Sequence, residues 1–121
     1  MIGACLILLC SVSSNYTFGQ DKKASVTISE SDNIYKFSSK YDKSKTKQVQ
    51  QYMTESLNRT GFKFTNTQID AQLALTGGIN FYIKSSDGEL VMKFDKRKNK
   101  AEDFTKFKQM CEGIRDIIQK N

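Results

Sequence analysis

Apolar residues along the chain follow two spacings, and the switches between them mark its elements. From Ile79 to Phe94 they recur at every second position on either side of Asp87 and Gly88, a pair suited to the two positive-φ positions of a tight hairpin turn. With the turn there, Ile83 faces Met92 and Phe81 faces Phe94 on one side of a sheet. Asn80, Tyr82, Lys84, Glu89, Val91 and Lys93 face the other side. A slip of one residue would send the apolar set to water, so turn and pattern specify the same register. Upstream, Ile69, Ala71, Leu73 and Leu75 alternate as well. A two-residue turn at Gly77 and Gly78 would bring Phe81 opposite Ala74, on the wrong face. A three-residue loop over 76–78 pairs Leu75 with Ile79, Leu73 with Phe81 and Ala71 with Ile83, with a glycine at its positive-φ position.

Residues 25–29 and 34–41 also alternate, which predicts a first hairpin with its turn at Asp32 and Asn33. Ile28 then stands opposite Phe37 with Tyr35 on the same face, and Thr27, Ser29, Lys36, Ser38 and Lys40 point away. A turn one residue earlier keeps the same faces. Between about 42 and 58 the spacing becomes helical, with Val49, Tyr52, Met53 and Leu57 on one stripe. Asp42 or Ser44 can cap this helix and Gly61 can take the left-handed position beyond it. Lys45, Lys47, Gln48, Gln50, Gln51, Thr54 and Glu55 form its solvated side. Phe62 and Phe64 fall on even numbers and the next strand on odd ones, so a bulge or break is expected within 65–68.

The last helix has the fullest pattern: Phe104, Phe107, Met110, Cys111, Ile114, Ile117 and Ile118 line one face. Lys106, Lys108, Gln109, Glu112, Arg115, Asp116 and Lys120 occupy the other. Asn99 can cap its start, and Glu102 and Asp103 suit the positive end of its dipole. The order is ββαβββα. Each strand has one apolar and one polar face, which predicts a two-layer α+β fold: an antiparallel sheet of about five strands with two helices packed on one face.

All 19 basic and all 13 acidic residues lie at or after Asp21. Residues 2–12 are almost continuously apolar, a length that suits a secretory leader and is too short to span a bilayer. Residues 1–20 are accordingly expected to be a cleaved signal peptide and 21–121 a single α+β domain, secreted or periplasmic, with no transmembrane anchor. No Lys or Arg precedes the apolar run, which departs from the usual basic start; the plainer alternative is a buried N-terminal strand or helix. Cys5 precedes the apolar stretch and Cys10 follows a large leucine, so neither suits a lipidated cleavage point. The body keeps one thiol, Cys111, and no intrachain disulfide. Its place on the apolar stripe makes it a small core residue.

Chemistry narrows the function further. The chain has no histidine, so the usual base near neutral pH and the commonest metal ligand are missing. No serine sits in a Gly-x-Ser-x-Gly elbow, and the glycines at 77 and 78 lead from strand to strand, not into a helix. Asp70, Asp87 and Glu89 belong to the wet face or a turn. No enzyme, cofactor or metal site is expected. The sequons at Asn15 and Asn58 match a pattern that chance often supplies.

A formal charge of +6 and a pI near 9.2 permit attraction to polyanions. Basic residues crowd two places: Lys40, Lys43, Lys45 and Lys47, then Lys93, Lys96, Arg97, Lys98 and Lys100. Cations near a helix N-terminus oppose its dipole, so local stability gives them no reason, whereas a bound anion would. The plainer reading is solvated loop lysines balanced by Asp42, Asp95, Glu102 and Asp103. Tyr82 stands among lysines on the outer sheet face but lacks the second aromatic of a base-stacking platform. The sequence thus reads as a small exported, non-enzymatic binding or interaction module for a protein or envelope component. The alternative is a binder of anionic lipid, glycan or DNA through the clusters at 40–47 and 93–100, using Lys43, Lys45, Lys47, Lys93, Lys96, Arg97, Lys98 and Lys100.

Overall fold

The computed structural model describes residues 24–64 and 68–120. The expected leader and most of the expected parity break lie outside the described residues. Five strands form one antiparallel sheet: β1 (Ser25–Glu30), β2 (Ile34–Lys40), β3 (Ile69–Ala74), β4 (Asn80–Ser86) and β5 (Glu89–Asp95). Helix α1 (Thr46–Ser56) follows β2, and α2 (Ala101–Gln119) follows β5. Across the sheet the order is β1-β2-β5-β4-β3, so the first hairpin meets the later three-stranded meander where β2 pairs with β5.

Each predicted register is present. Ile28 pairs with Phe37, Ile83 with Met92, and Leu73 with Phe81. The Leu75 amide donates to the Ile79 carbonyl at 2.9 Å and closes the three-residue loop. That loop uses two left-handed positions where one was expected, with φ of 95° at Gly77 and 94° at Gly78. Residues 62–64 form no strand, and the rings of Phe62 and Phe64 meet edge to face at 5.1 Å.

Both helices lie on the face that carries Phe37, Phe81, Ile83, Met92 and Phe94, all fully buried. Phe107 of α2 sits at the centre of this layer, 4.7 Å from the Phe94 ring and 5.2 Å from Phe81. Burying a phenylalanine is worth about 1.5–3 kcal/mol, and these contacts join α2 to β5 and β4. Next to the aromatics, Ser39, Leu90 and Ser85 form one cross-strand row. The Ser39 hydroxyl donates to the Leu90 carbonyl at 3.0 Å, and the Gln50 amide of α1 donates to Ser85 Oγ at 3.4 Å. Gln50 therefore belongs to the buried side of α1, not its solvated side. The serines leave room for a polar group that the strand offers a partner. Ile28 lies on the expected face yet is 36% exposed, because β1 is the edge strand, with a neighbour on one side only.

The connections are equally specific. Asp42 accepts from the Ser44 amide, capping a short 3-10 helix (Lys43–Lys45) that leads into α1, and Gly61 beyond α1 is left-handed at φ 78°. The Asp87–Gly88 turn docks on this connection: Gly88 N–H donates to Thr46 Oγ1, and Tyr41 N–H donates to the Gly88 carbonyl, both at 2.9 Å. A β-carbon at Gly88 would stand 2.7 Å from the Tyr41 carbonyl oxygen, so the position needs glycine for space as well as for its φ of 77°.

Asn99 does not cap α2; Lys100 holds that position, with no side-chain hydrogen bond. The Asn99 amide instead accepts from Asn80 N–H at 2.8 Å and donates to the carbonyls of Asn80 and Asp95 at 3.0 and 2.8 Å. Backbone groups at the ends of two strands outcompete the helix terminus for its side chain.

Candidate functional site

The sheet face opposite the helices carries two complete rows of side chains, polar or charged except for Val91. One row runs Ser29, Lys36, Lys93, Tyr82 and Gln72 from edge to edge; the next runs Thr27, Ser38, Val91, Lys84 and Asp70. Strand alternation places all ten on the side away from the core. Tyr82 is fixed by its phenol, which donates to Asp70 Oδ1 at 2.7 Å; that hydrogen bond also holds its pKa above the ordinary tyrosine value.

The two basic clusters stand at opposite ends of this sheet. Lys40 pairs with Glu89 at one end of the β2–β5 ladder and Ile34 with Asp95 at the other, so roughly 20 Å of strand separates them. They cannot hold one small anion between them. Three of their members have partners within the molecule. Lys45 Nζ crosses to the far end of α2 and donates to the carbonyls of Ile117 (3.1 Å), Ile118 (3.0 Å) and Lys120. A cation there meets the negative end of the helix dipole and unsatisfied carbonyls. Lys96 Nζ bonds Glu30 Oε2 at 2.6 Å and the Ser31 carbonyl at 2.8 Å, and lies 4.9 Å from the centre of the Phe104 ring. Arg97 clamps Asp95 through Nε and Nη2 at 3.1 and 3.0 Å, and this holds the Asp95 carboxyl below its ordinary pKa. For Lys45 and Lys96 the fold itself gives the local reason that sequence reasoning did not find.

The side-chain ammonium groups of Lys43, Lys47, Lys93, Lys98 and Lys100 have no hydrogen-bond or ion-pair partner among the described residues. Of these, Lys93 alone lies on a strand, and it faces Lys36 directly.

A cleft of about 470 Å³ opens where α1 ends and α2 begins. Leu57, Ile79, Phe107 and Met110 contribute apolar lining, while Arg59 and Asp103 bring charges of both signs. Asp103 Oδ2 is buried there and makes no hydrogen bond. Sequence reading placed Asp103 as a dipole-matching residue and a counter-charge to the loop lysines, not in a cleft, because the cleft is formed by elements far apart in the chain.

Cys111 and Tyr35 are buried beneath α2, and burial, the largest cause, raises both of their pKa values. Tyr41, beside the Asp87–Gly88 turn, is pushed up to about 12 by burial and then by Asp87 and Glu89. Such a thiol is a poor nucleophile. Among the described residues no three acidic or cysteine side chains gather to hold a metal ion, and no helix is long and apolar enough to cross a membrane. No protein-family model matches the chain, and no curated protein or solved structure matches it.

Proposed function

We propose that this chain is a small exported, non-enzymatic binding module that holds an acidic partner on the open face of its sheet. One observation carries the reading. The helices pack on one face, while the other presents Lys36, Lys93 and Lys84 beside Tyr82 and Val91 with no element packed over them among the described residues. An aromatic ring and an aliphatic side chain among lysines give contact area and sign together; basic residues draw in an acidic surface and the ring adds a fixed anchor. Export rests on the uncharged apolar stretch at 2–12 and on a body whose one thiol is buried.

The test is capture from cell-envelope extract by the full chain at low and high salt, beside two variants. Lys84→Glu with Val91→Glu alters the second row of the open face. Lys106→Ser with Gln109→Ser alters exposed positions of α2. The reading expects the sheet-face variant to lose its partner at least tenfold and the helix variant to keep it, with release as salt rises. Equal capture by all three proteins, or loss confined to the helix variant, would refute it. Fractionation that leaves the full chain inside the cell would refute export.

A further inference from the structure

Lys36 and Lys93 are direct cross-strand neighbours on β2 and β5, two interior strands of the sheet. Side chains in that relation have β-carbons about 4.5–5.5 Å apart, and like charges so placed repel. The rest of their row, Ser29, Tyr82 and Gln72, contains no carboxylate. The two acids closest along the strands are already neutralised: Arg97 holds Asp95, and Lys96 holds Glu30. By contrast, Lys84 in the next row faces Asp70, and Lys40 faces Glu89. The surface beside the lysine pair is a shallow depression walled by Ser29, Glu30, Ser31, Ile34 and the two lysines themselves, and the Glu30 carboxylate there is the one that Lys96 holds. Two ammonium groups therefore stand at one polar hollow with no ion-pair partner of their own among the described residues, its one carboxylate being bonded to Lys96, with a hydroxyl on one side and a fixed tyrosine ring on the other.

We propose that this hollow binds a phosphate group carried on an extended anionic polymer. This deepens the open-face reading above and rests on it. Lys36 and Lys93 together supply up to six N–H donors to the tetrahedral oxygens of one phosphate, and Ser29 adds a hydroxyl. The carrier continues over Tyr82, directly opposite Lys93, whose hydrogen bond to Asp70 holds the ring against the sheet. A neighbouring phosphate is then placed to meet the surrounding positive field. The ligand also removes the repulsion within the lysine pair, so binding stabilises the native state as well as occupying it.

The experiment titrates the full chain with linear polyphosphate and, separately, with inorganic phosphate, at low and moderate salt. The polymer is expected to bind with an affinity that falls steeply as salt rises and to raise the melting temperature. Inorganic phosphate is expected to compete at far higher concentration. Lys36→Glu is the decisive variant, because it turns a repelling pair into an attracting one. It should melt at or above the wild-type temperature and yet lose polymer affinity tenfold or more; Lys93→Gln should lose it similarly. Lys98→Gln with Lys100→Gln should change it less than threefold. Wild-type affinity in Lys36→Glu, or equal loss in the loop variant, would overturn the assignment in favour of diffuse attraction to net charge. Capture still lost by the Lys84 and Val91 variant, with polyphosphate binding indifferent to Lys36, would leave the open face as the binding surface and remove phosphate as its ligand. Polymer binding that requires Lys36 while capture ignores the second row would keep the phosphate site and refute the acidic partner proposed to sit on that face.

Discussion

Gly113 shows how one residue can set the distance between two elements. It lies within α2, where glycine costs about 1 kcal/mol relative to alanine. A β-carbon there would run into Oη and Cζ of Tyr52 on α1, with Cε2 2.9 Å away. The missing side chain is thus the seat for a tyrosine. Gly113→Ala should destabilise the protein by about 1 kcal/mol, the overpacking strain exceeding the helix gain. In a Tyr52→Ala background the same change should become stabilising. Denaturant unfolding of the four proteins checks the reversal of sign; a Gly113→Ala effect equal in both backgrounds would show that the tyrosine ring moves aside freely. None of this was legible in the sequence. Tyr52 was readable as part of an apolar stripe, but which residue of the other helix receives it depends on how the two helices cross. Asn99 teaches the same lesson from the other side: its position before a helix suggested a cap, and a partner nineteen residues upstream took its side chain.

At the scale of elements, local pattern was sufficient wherever partners are close in sequence. The Asp87–Gly88 turn, the first hairpin and the three-residue loop each had their register readable from alternation alone, because a slip would expose an entire face. Helix ends were less readable, since their unsatisfied groups accept partners from anywhere. Lys45 is the clearest instance. It read as one more cation at the wrong end of α1, whereas its ammonium closes the far end of α2. Lys45→Gln should therefore cost about 1–2 kcal/mol, the range of a charge-assisted bond to helix carbonyls. It should also speed hydrogen exchange in the last turn of α2. Lys47→Gln, its exposed neighbour in sequence, should stay within about 0.5 kcal/mol of wild type. Equal effects of the two changes would mean that the Lys45 contacts contribute nothing net. The candidate site divides along the same line: the open face and its lysines followed from strand alternation, but the lone confrontation of Lys36 with Lys93 needed the pairing of β2 with β5, which no local signal fixes.

For the molecule as a whole, the buried phenols and thiol predict a stability that depends on alkaline pH. Cys111, Tyr35 and Tyr41 all keep their protons in the native state to higher pH than in the unfolded chain, mainly because burial disfavours their anions. Between the ordinary values of 9.0 for the thiol and 10.0 for the phenols and the raised native ones, the unfolded chain has lost protons that the folded protein retains. Stability is then fully present below about pH 9 and falls as pH rises toward 12 and beyond. Urea midpoints at pH 8 and pH 11 measure the drop; an unchanged midpoint would mean that these groups ionise inside the fold. The seam between β2 and β5 has a different consequence, one of timing. Synthesis delivers β1, β2 and α1 first, but the strand that must lie against β2 is the last of the five to be made. Until Met92 and Phe94 arrive, Tyr35 and Phe37 have no neighbour on that side and β2 exposes a bare hydrogen-bonding edge. The nascent chain therefore spends the making of α1, β3, β4 and β5 as a half-sheet with an open flank, the interval in which a chaperone, or another unfinished copy, would find it.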